Sequence, residues 1–338
     1  MNNFQHYLVE EFVEDYQEGR MSRRQALKLI ASVVGNLVLA NSVLAACAPP
    51  PQATSITSPI ATMAPTDTPG VSPTSTPAPT AQPADTTSPA TAAPSSPTAP
   101  ISGTVSPDDP AIEAGPVEFP GQGATLLGYL ARPKGDGPFP VVLVCHENRG
   151  LTEHIQDVTR RLAKAGYVAL AVDLLSRQGG TDAVGSGNVP GALGNISPDQ
   201  FVQDFLSGWQ SLQGQPYAQA ELVGMVGFCF GGGVTWLMAT QMPELKAAVP
   251  FYGPHPAVAE APNINAAVLA IYGELDQRIN QGIPAIEAAM QQNNKIYEKV
   301  IYPGADHAFH NDTGSRYNPE AARDAWARTL EWFGEYLK

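Results

Sequence analysis

The hydrophobic rhythm of this chain changes sharply along its length. Residues 1–20 are polar and acidic, and residues 29–46 form an apolar run without a charge. Residues 48 to about 106 show no periodicity. From about residue 107 onward, short apolar runs alternate with helical patterns. Val117-Glu118-Phe119 and Leu126-Leu127-Gly128-Tyr129-Leu130 alternate in polarity and predict an antiparallel opening pair. Residues 141–145 are continuously apolar, as a strand buried on both faces requires. Residues 168–172, 222–226, 247–252 and 267–272 read the same way, and residues 297–302 close the series. Between them, Ile155, Val158 and Leu162 keep helical spacing up to a stop at Gly166. A Gly-rich loop spans about 176–195. Ser197-Pro198-Asp199 then caps a helix through Phe201, Phe205 and Leu212. Further helices are expected from residue 234, over about 284–292, and from Asn318-Pro319-Glu320 to the C-terminus. Strands alternating with helices predict an α/β domain: a mostly parallel sheet of about eight strands, with helices on both faces and no large lid domain.

Composition divides the chain into three segments: 1–46, 47–106 and 107–338. In the first, Ser22-Arg23-Arg24 precedes the apolar run, the pattern of a twin-arginine export signal. The run ends in Leu44-Ala45-Ala46-Cys47, which resembles a bacterial lipoprotein cleavage box. That resemblance implies cleavage before Cys47 and lipidation of its sulfur. An uncleaved anchor and ordinary cleavage without lipid are the alternatives. Each places the rest of the protein outside the cytoplasm, and any membrane contact would run through this segment alone. The second segment is almost entirely Pro, Thr, Ser and Ala. It buries too little apolar surface to offset its ordering entropy and reads as an extended stalk. Its composition also permits O-glycosylation. Acids outnumber bases 32 to 19 over the chain. No basic stretch follows the arginine pair, which argues against nucleic acid as a partner. The expected partner is a small molecule, with the protein acting as a monomer.

The chemistry centres on Val226-Gly227-Phe228-Cys229-Phe230-Gly231-Gly232-Gly233. A buried strand, then Gly-x-nucleophile-x-Gly, then a helix is the nucleophile elbow of the α/β-hydrolase fold, with cysteine in place of serine. Two loops at later strand ends supply the remaining groups in the expected chain order. Asp276 lies in Tyr272-Gly273-Glu274-Leu275-Asp276, and His307 in Gly304-Ala305-Asp306-His307. His307 would take the thiol proton and Asp276 would orient the imidazole. Glu274 and Asp306 compete with Asp276. His146, His154, His255 and His310 compete with His307 but lack its position after the last strand. Cys145 ends a strand and reads as a small buried hydrophobe, with a disulfide to Cys229 as the alternative. No metal-ligand cluster is visible, His307 and His310 being the closest approach. No phosphate loop follows the glycines, and no cofactor is called for.

These motifs, with His146-Glu147-Asn148-Arg149-Gly150 and Asp173-Leu174-Leu175-Ser176-Arg177, make the domain from about Gly115 to Lys338 resemble the dienelactone hydrolase (carboxymethylenebutenolidase) family. The resemblance implies a hydrolase of small esters or lactones acting through a Cys229 thioester. It implies that Glu147 contacts the resting thiol, a loop salt bridge to Arg149 being the alternative. Elbow geometry makes the backbone N–H of Phe230 one oxyanion donor, and the resemblance adds that of Asn148. Arg177 matches an arginine that binds the substrate carboxylate, unless it pairs with Asp173 or Asp182. Tyr252 matches a pocket tyrosine. The family's second carboxylate-binding arginine is replaced by Asn311, with Arg316 the nearest substitute. The departure weakens the case for an anionic dienelactone. A general carboxylesterase and a non-catalytic ligand-binding protein are the other functions compatible with this chain.

Overall fold

The computed structural model describes residues 1–46 and 103–338. Cys47, with its expected lipidation, and most of the expected stalk lie outside the described residues. The N-terminal segment folds into three helices, α1 (Asn3–Gln17), α2 (Arg23–Val34) and α3 (Leu37–Ala46). Then come β1 (Ile112–Gly121), β2 (Ala124–Pro133), β3 (Phe139–Cys145), α4 (Glu153–Lys164) and β4 (Val168–Val172). Helices α5 (Thr181–Val184), α6 (Val189–Gly194) and α7 (Pro198–Leu212) lead to β5 (Ala218–Phe228) and α8 (Phe230–Gln241). The chain closes with β6 (Ala247–Phe251), β7 (Ala267–Gly273), α9 (Gln277–Asn280), α10 (Ile283–Gln292), β8 (Tyr297–Tyr302) and α11 (Pro319–Tyr336).

The eight strands form one sheet in the order β1-β2-β4-β3-β5-β6-β7-β8. Strand β2 pairs antiparallel with both β1 and β4, and the remaining neighbours are parallel. This is the α/β-hydrolase sheet that the strand–helix alternation predicts. The continuous apolar runs are buried throughout β4, β6 and β7, because helices cover both faces of the parallel part. Strand β5 starts earlier than its apolar run, at Ala218, since Phe139 and Pro140 of β3 pair with Ala218 and Gln219. The Gly-rich loop is not featureless: it holds a single turn at 176–178 followed by α5 and α6.

The polar N-terminus conceals a helix. Asn2 and Gln5 form a reciprocal capping box at the start of α1. Phe4, Tyr7, Leu8, Glu11 and Phe12, at intervals of three and four, are buried on one face of the helix. The Phe4 ring lies 5.3 Å from Phe201 of α7 and 5.1 Å from Phe230 of α8. The apolar run 29–46 is broken at Gly35, a left-handed helix cap with φ 69°. None of the described helices is long and apolar enough to cross a membrane. Buried Ile30 and Val33 of α2 face the domain, and Gly191 of α6 lies against Ser32. At the start of the domain, Val105 is already fixed: its N–H donates to Asp157 at 2.6 Å and its carbonyl accepts from Arg160 at 2.5 Å.

Candidate active site

Cys229 stands between β5 and α8 with φ 59° and ψ −120°, a strained conformation for a residue with a side chain. Close packing of main chain makes the elbow possible. A Cβ on Gly227 would lie 2.1 Å from the Gly231 carbonyl oxygen, and one on Gly231 would lie 2.5 Å from the Cys145 and His146 carbonyls. The Cys229 N–H is held by the Phe251 carbonyl at 3.0 Å. Phe230 opens α8, so its N–H belongs to the turn that lacks intrahelical acceptors. Cys229 and Cys145 are both free, buried thiols.

The histidine and its acid meet as the strand order requires. His307 Nδ1 lies 2.6 Å from Asp276 Oδ2, and both side chains are buried. Asp276 also caps α9, accepting from the Ile279 N–H at 3.3 Å. Burial opposes ionisation of Asp276, but the His307 ring beside it prevails and holds its carboxyl below the usual value. Burial likewise opposes the imidazolium, but Asp276 and the Cys229 sulfur raise His307 well above an ordinary histidine. The competing groups have other partners. Glu274 accepts from the Gly304 N–H, and Asp306 from the His307 N–H. His146 bonds the Glu147 carbonyl and the Leu174 N–H, and burial lowers its pKa. His154 pairs with Asp312, His255 with the Pro256 carbonyl, and His310 stacks on Phe228 with a centroid distance of 5.0 Å.

Four residues assigned from the family resemblance fall in varied places. Glu147 and Asn148 line a cavity of about 620 Å³ that also contains Cys229. The Glu147 carboxylate accepts from Asn311 Nδ2 at 2.6 Å, so the residue at the missing arginine's position binds this acid. Tyr252 is fully buried with φ 36°, and its ring is 5.1 Å from His307. Arg177 does not line the cavity. Its guanidinium donates to Asp204 at 2.9 Å and to the Gln122 carbonyl at 2.9 Å. That arrangement is a structural clamp, and its partners differ from the Asp173 and Asp182 weighed for it.

Two residues of the N-terminal helix complete the site and escape sequence reasoning. Tyr7 Oη lies 3.1 Å from Cys229 Sγ and 3.3 Å from His307 Nε2. The Glu11 carboxylate oxygens lie 3.7 and 3.8 Å from Sγ, within hydrogen-bond reach of sulfur. Burial and Glu11 together raise the Cys229 thiol above its ordinary pKa. A Glu11 carboxylate oxygen, Cys229 Sγ and a His307 ring nitrogen all lie within 4.8 Å of one another. The sequence points to neither Tyr7 nor Glu11, since both lie in the segment read as a signal. The helical spacing of Phe4, Leu8 and Phe12 was the available clue.

A strained elbow cysteine, a buried Asp–His pair at the ends of neighbouring strands and an eight-stranded mostly parallel sheet define an α/β-hydrolase fold with cysteine at its elbow. The dienelactone hydrolase family model matches residues 126–337, and the chain belongs to that family. A protein of Escherichia coli (strain K12), provisionally named a carboxymethylenebutenolidase, is 39% identical over 249 residues, covering 68% of this chain and 90% of the relative. One of the same provisional name from Methylorubrum extorquens is 37% identical over 246 residues, covering 69% and 84%. A Klebsiella pneumoniae crystal structure, provisionally named a dienelactone hydrolase, is 36% identical with a TM-score of 0.63, covering 67% of this chain and all of that one. The chain is accordingly a hydrolase. Helices α1–α3 precede the stretch that the family model matches.

Proposed function

We propose that this hydrolase cleaves small carboxylic esters or lactones through a thioester on Cys229. The observation that carries this reading is the Asp276–His307 pair at 2.6 Å beside a strained, buried elbow thiol. In the first half-reaction the thiol proton passes to His307 and the sulfur forms a bond to the acyl carbon. The carbonyl oxygen gains charge and is met by the backbone N–H groups of Phe230 and Asn148. The C–O bond then breaks and the alkoxide leaves with the proton from His307. Water, activated by the same imidazole, releases the acid and regenerates the thiol. Asp276 keeps the imidazole in the tautomer that presents Nε2.

The cavity favours a broader substrate class than the anionic lactone. Arg177 is occupied by Asp204, and Asn311 by Glu147. Three acids (Glu11, Asp15 and Glu147) and two arginines (Arg149 and Arg316) line the cavity, so it offers no net positive field for a carboxylate. A neutral ester or lactone suits it better. The paired arginines at 23–24 support a place outside the cytoplasm, by a route that carries proteins already folded.

The test is hydrolysis of a panel of short aryl esters and lactones by wild type and Cys229→Ala. The variant is expected to lose on the order of 10³-fold or more in kcat/KM. Equal rates would overturn the proposal. Within the panel, a neutral ester is expected to be favoured over its carboxylated counterpart, and Arg177→Ala to leave that preference unchanged.

A further inference from the structure

Helix α1 reaches the catalytic groups with polar atoms, where a covering element would be expected to present only apolar ones. Its Tyr7 hydroxyl touches both the nucleophilic sulfur and the imidazole nitrogen that must take its proton. Its Glu11 carboxylate is within sulfur hydrogen-bond reach, whereas Glu147 is bound by Asn311. One helical turn separates Tyr7 from Glu11, so a single docked helix aims both at Cys229. Tyr7, Glu11 and Phe12 are almost completely buried. The cavity lies between this helix and the catalytic loops, with Glu11, Phe12 and Asp15 on one wall and Glu147, Asn148 and Asn311 on the other.

The docking is specific. Arg278, two residues after the catalytic acid, donates to Glu14 at 3.0 Å and sits 4.7 Å above the Tyr7 ring. Arg316, on the loop after the catalytic histidine, lies 3.8 Å from Asp15. Arg20 binds Asp15 at 2.8 Å and approaches Asp306, the neighbour of His307, at 3.6 Å. Thus α1 is tied by charge to the loops that carry Asp276 and His307, and by the Phe4 ring to the helix that carries the oxyanion donor.

We propose that Tyr7 is a catalytic residue of this hydrolase, bridging Cys229 and His307, and that Glu11 is the carboxylate that holds its resting thiol. The proposal rests on the esterase reading above and deepens it. At rest, Sγ–H donates to Glu11. As substrate enters, the sulfur gives its proton to the imidazole, directly or through the phenol, which passes its own proton to Nε2 as it receives one from sulfur. In either case the phenol ends with one O–H, and that O–H donates to the thiolate. The negative charge of Glu11 opposes the thiolate, so the sulfur stays protonated until the ester is in place. Residues 1–46 must then remain on the working enzyme, in contrast to cleavage before Cys47.

The test is the pH dependence of iodoacetamide alkylation at Cys229 in the full chain, read from the Cys229 peptide by mass spectrometry, beside ester kinetics. Among the described residues, the groups facing this sulfur are Tyr7, Glu11 and His307 in contact, with Glu147, Arg316, Tyr252 and Cys145 further off. Glu11→Gln removes a negative charge and is expected to move the alkylation limb to lower pH. Tyr7→Phe removes a donor to the thiolate and is expected to move it to higher pH. It should also lower kcat by about 10- to 100-fold with little change in KM, the value of one hydrogen bond to a charged group. A helix that only packs would not shift the two limbs in opposite directions. Profiles that overlay wild type, with unchanged kcat, would overturn the proposal. If Tyr7→Phe does not fold, the Glu11→Gln limb decides alone. Fully active protein beginning at residue 47 in its native cells would overturn it too. Activity surviving in Cys229→Ala would instead overturn the esterase reading.

Discussion

Cys229 works under opposing influences, and the residues around it divide the labour. Burial and Glu11 favour the thiol, while the raised imidazole of His307 favours the thiolate. What tips the balance is the tautomer of His307, fixed by its 2.6 Å contact to Asp276. Asp276→Asn keeps the size and the cap on α9 but places an amide beside Nδ1. It can donate to that nitrogen and so favour the tautomer that no longer accepts at Nε2. The expected result is a fall in kcat on the order of 10³–10⁴-fold with the fold intact, checked by ester kinetics alongside circular dichroism. A loss below tenfold would assign the orienting role to another acid. These three residues were legible because strand ends and elbow glycines leave a spacing signature. Arg177 was legible only as a family match. Its partners, Asp204 on α7 and the Gln122 carbonyl, come together only in the folded chain.

Among the elements, the inner parallel strands announced themselves as uninterrupted apolar runs, because both faces of each are buried, whereas the edge strand β8 carries Glu298 and Lys299 and is only partly covered. The N-terminal helices did not. Their buried stripe is interleaved with acids, two of which pair with arginines some 260 to 300 residues further along the chain. An acid that looks solvated in sequence is therefore a docking group in the structure. The run 29–46 carried a membrane-like signal through composition alone, and Gly35 divides it into two short helices. The seam holding them to the domain is narrow enough to test. A Cβ on Gly191 would lie 2.3 Å from Ser32 Oγ and 2.6 Å from its Cβ, so α6 and α2 approach with only the Ser32 side chain between them. Gly191→Ala is expected to destabilise this seam by about 1–3 kcal/mol, the usual range for overpacking. Backbone amide exchange should quicken over 23–34 while protection in β5 holds. Equal protection throughout would show that the contact can give way without cost.

Across the molecule, the loop after β8 is braced by a charge network beside the cavity, for Asn311 and Thr313, which flank Asp312, both line it. Asp312, on the loop after His307, accepts from His154 at 2.9 Å and also bonds Arg161, both on α4. Arg161 is shared with Asp157, which also holds the Val105 N–H where the domain begins. One cluster thus ties the start of the domain, a sheet-covering helix and the loop carrying His307. The bond from His154, followed by that from Arg161, holds the Asp312 carboxyl well below its usual value against some burial. A depressed carboxylate stabilises the fold above its unfolded pKa of about 3.9, and that contribution is lost as pH falls towards the folded value. Asp312→Asn should therefore lower Tm at neutral pH. Solvent screening of this partly exposed group keeps the loss near 1–2 kcal/mol, or roughly 2–8 °C in a domain of this size. Below about pH 4 the wild-type advantage should shrink, because the unfolded chain takes up a proton at this carboxyl while the native carboxylate, its pKa depressed, stays ionised. Melting curves of both proteins from pH 7 to pH 3 measure this directly. A difference that stays constant across that range would mean that Asp312 braces the loop through packing and not through its charge.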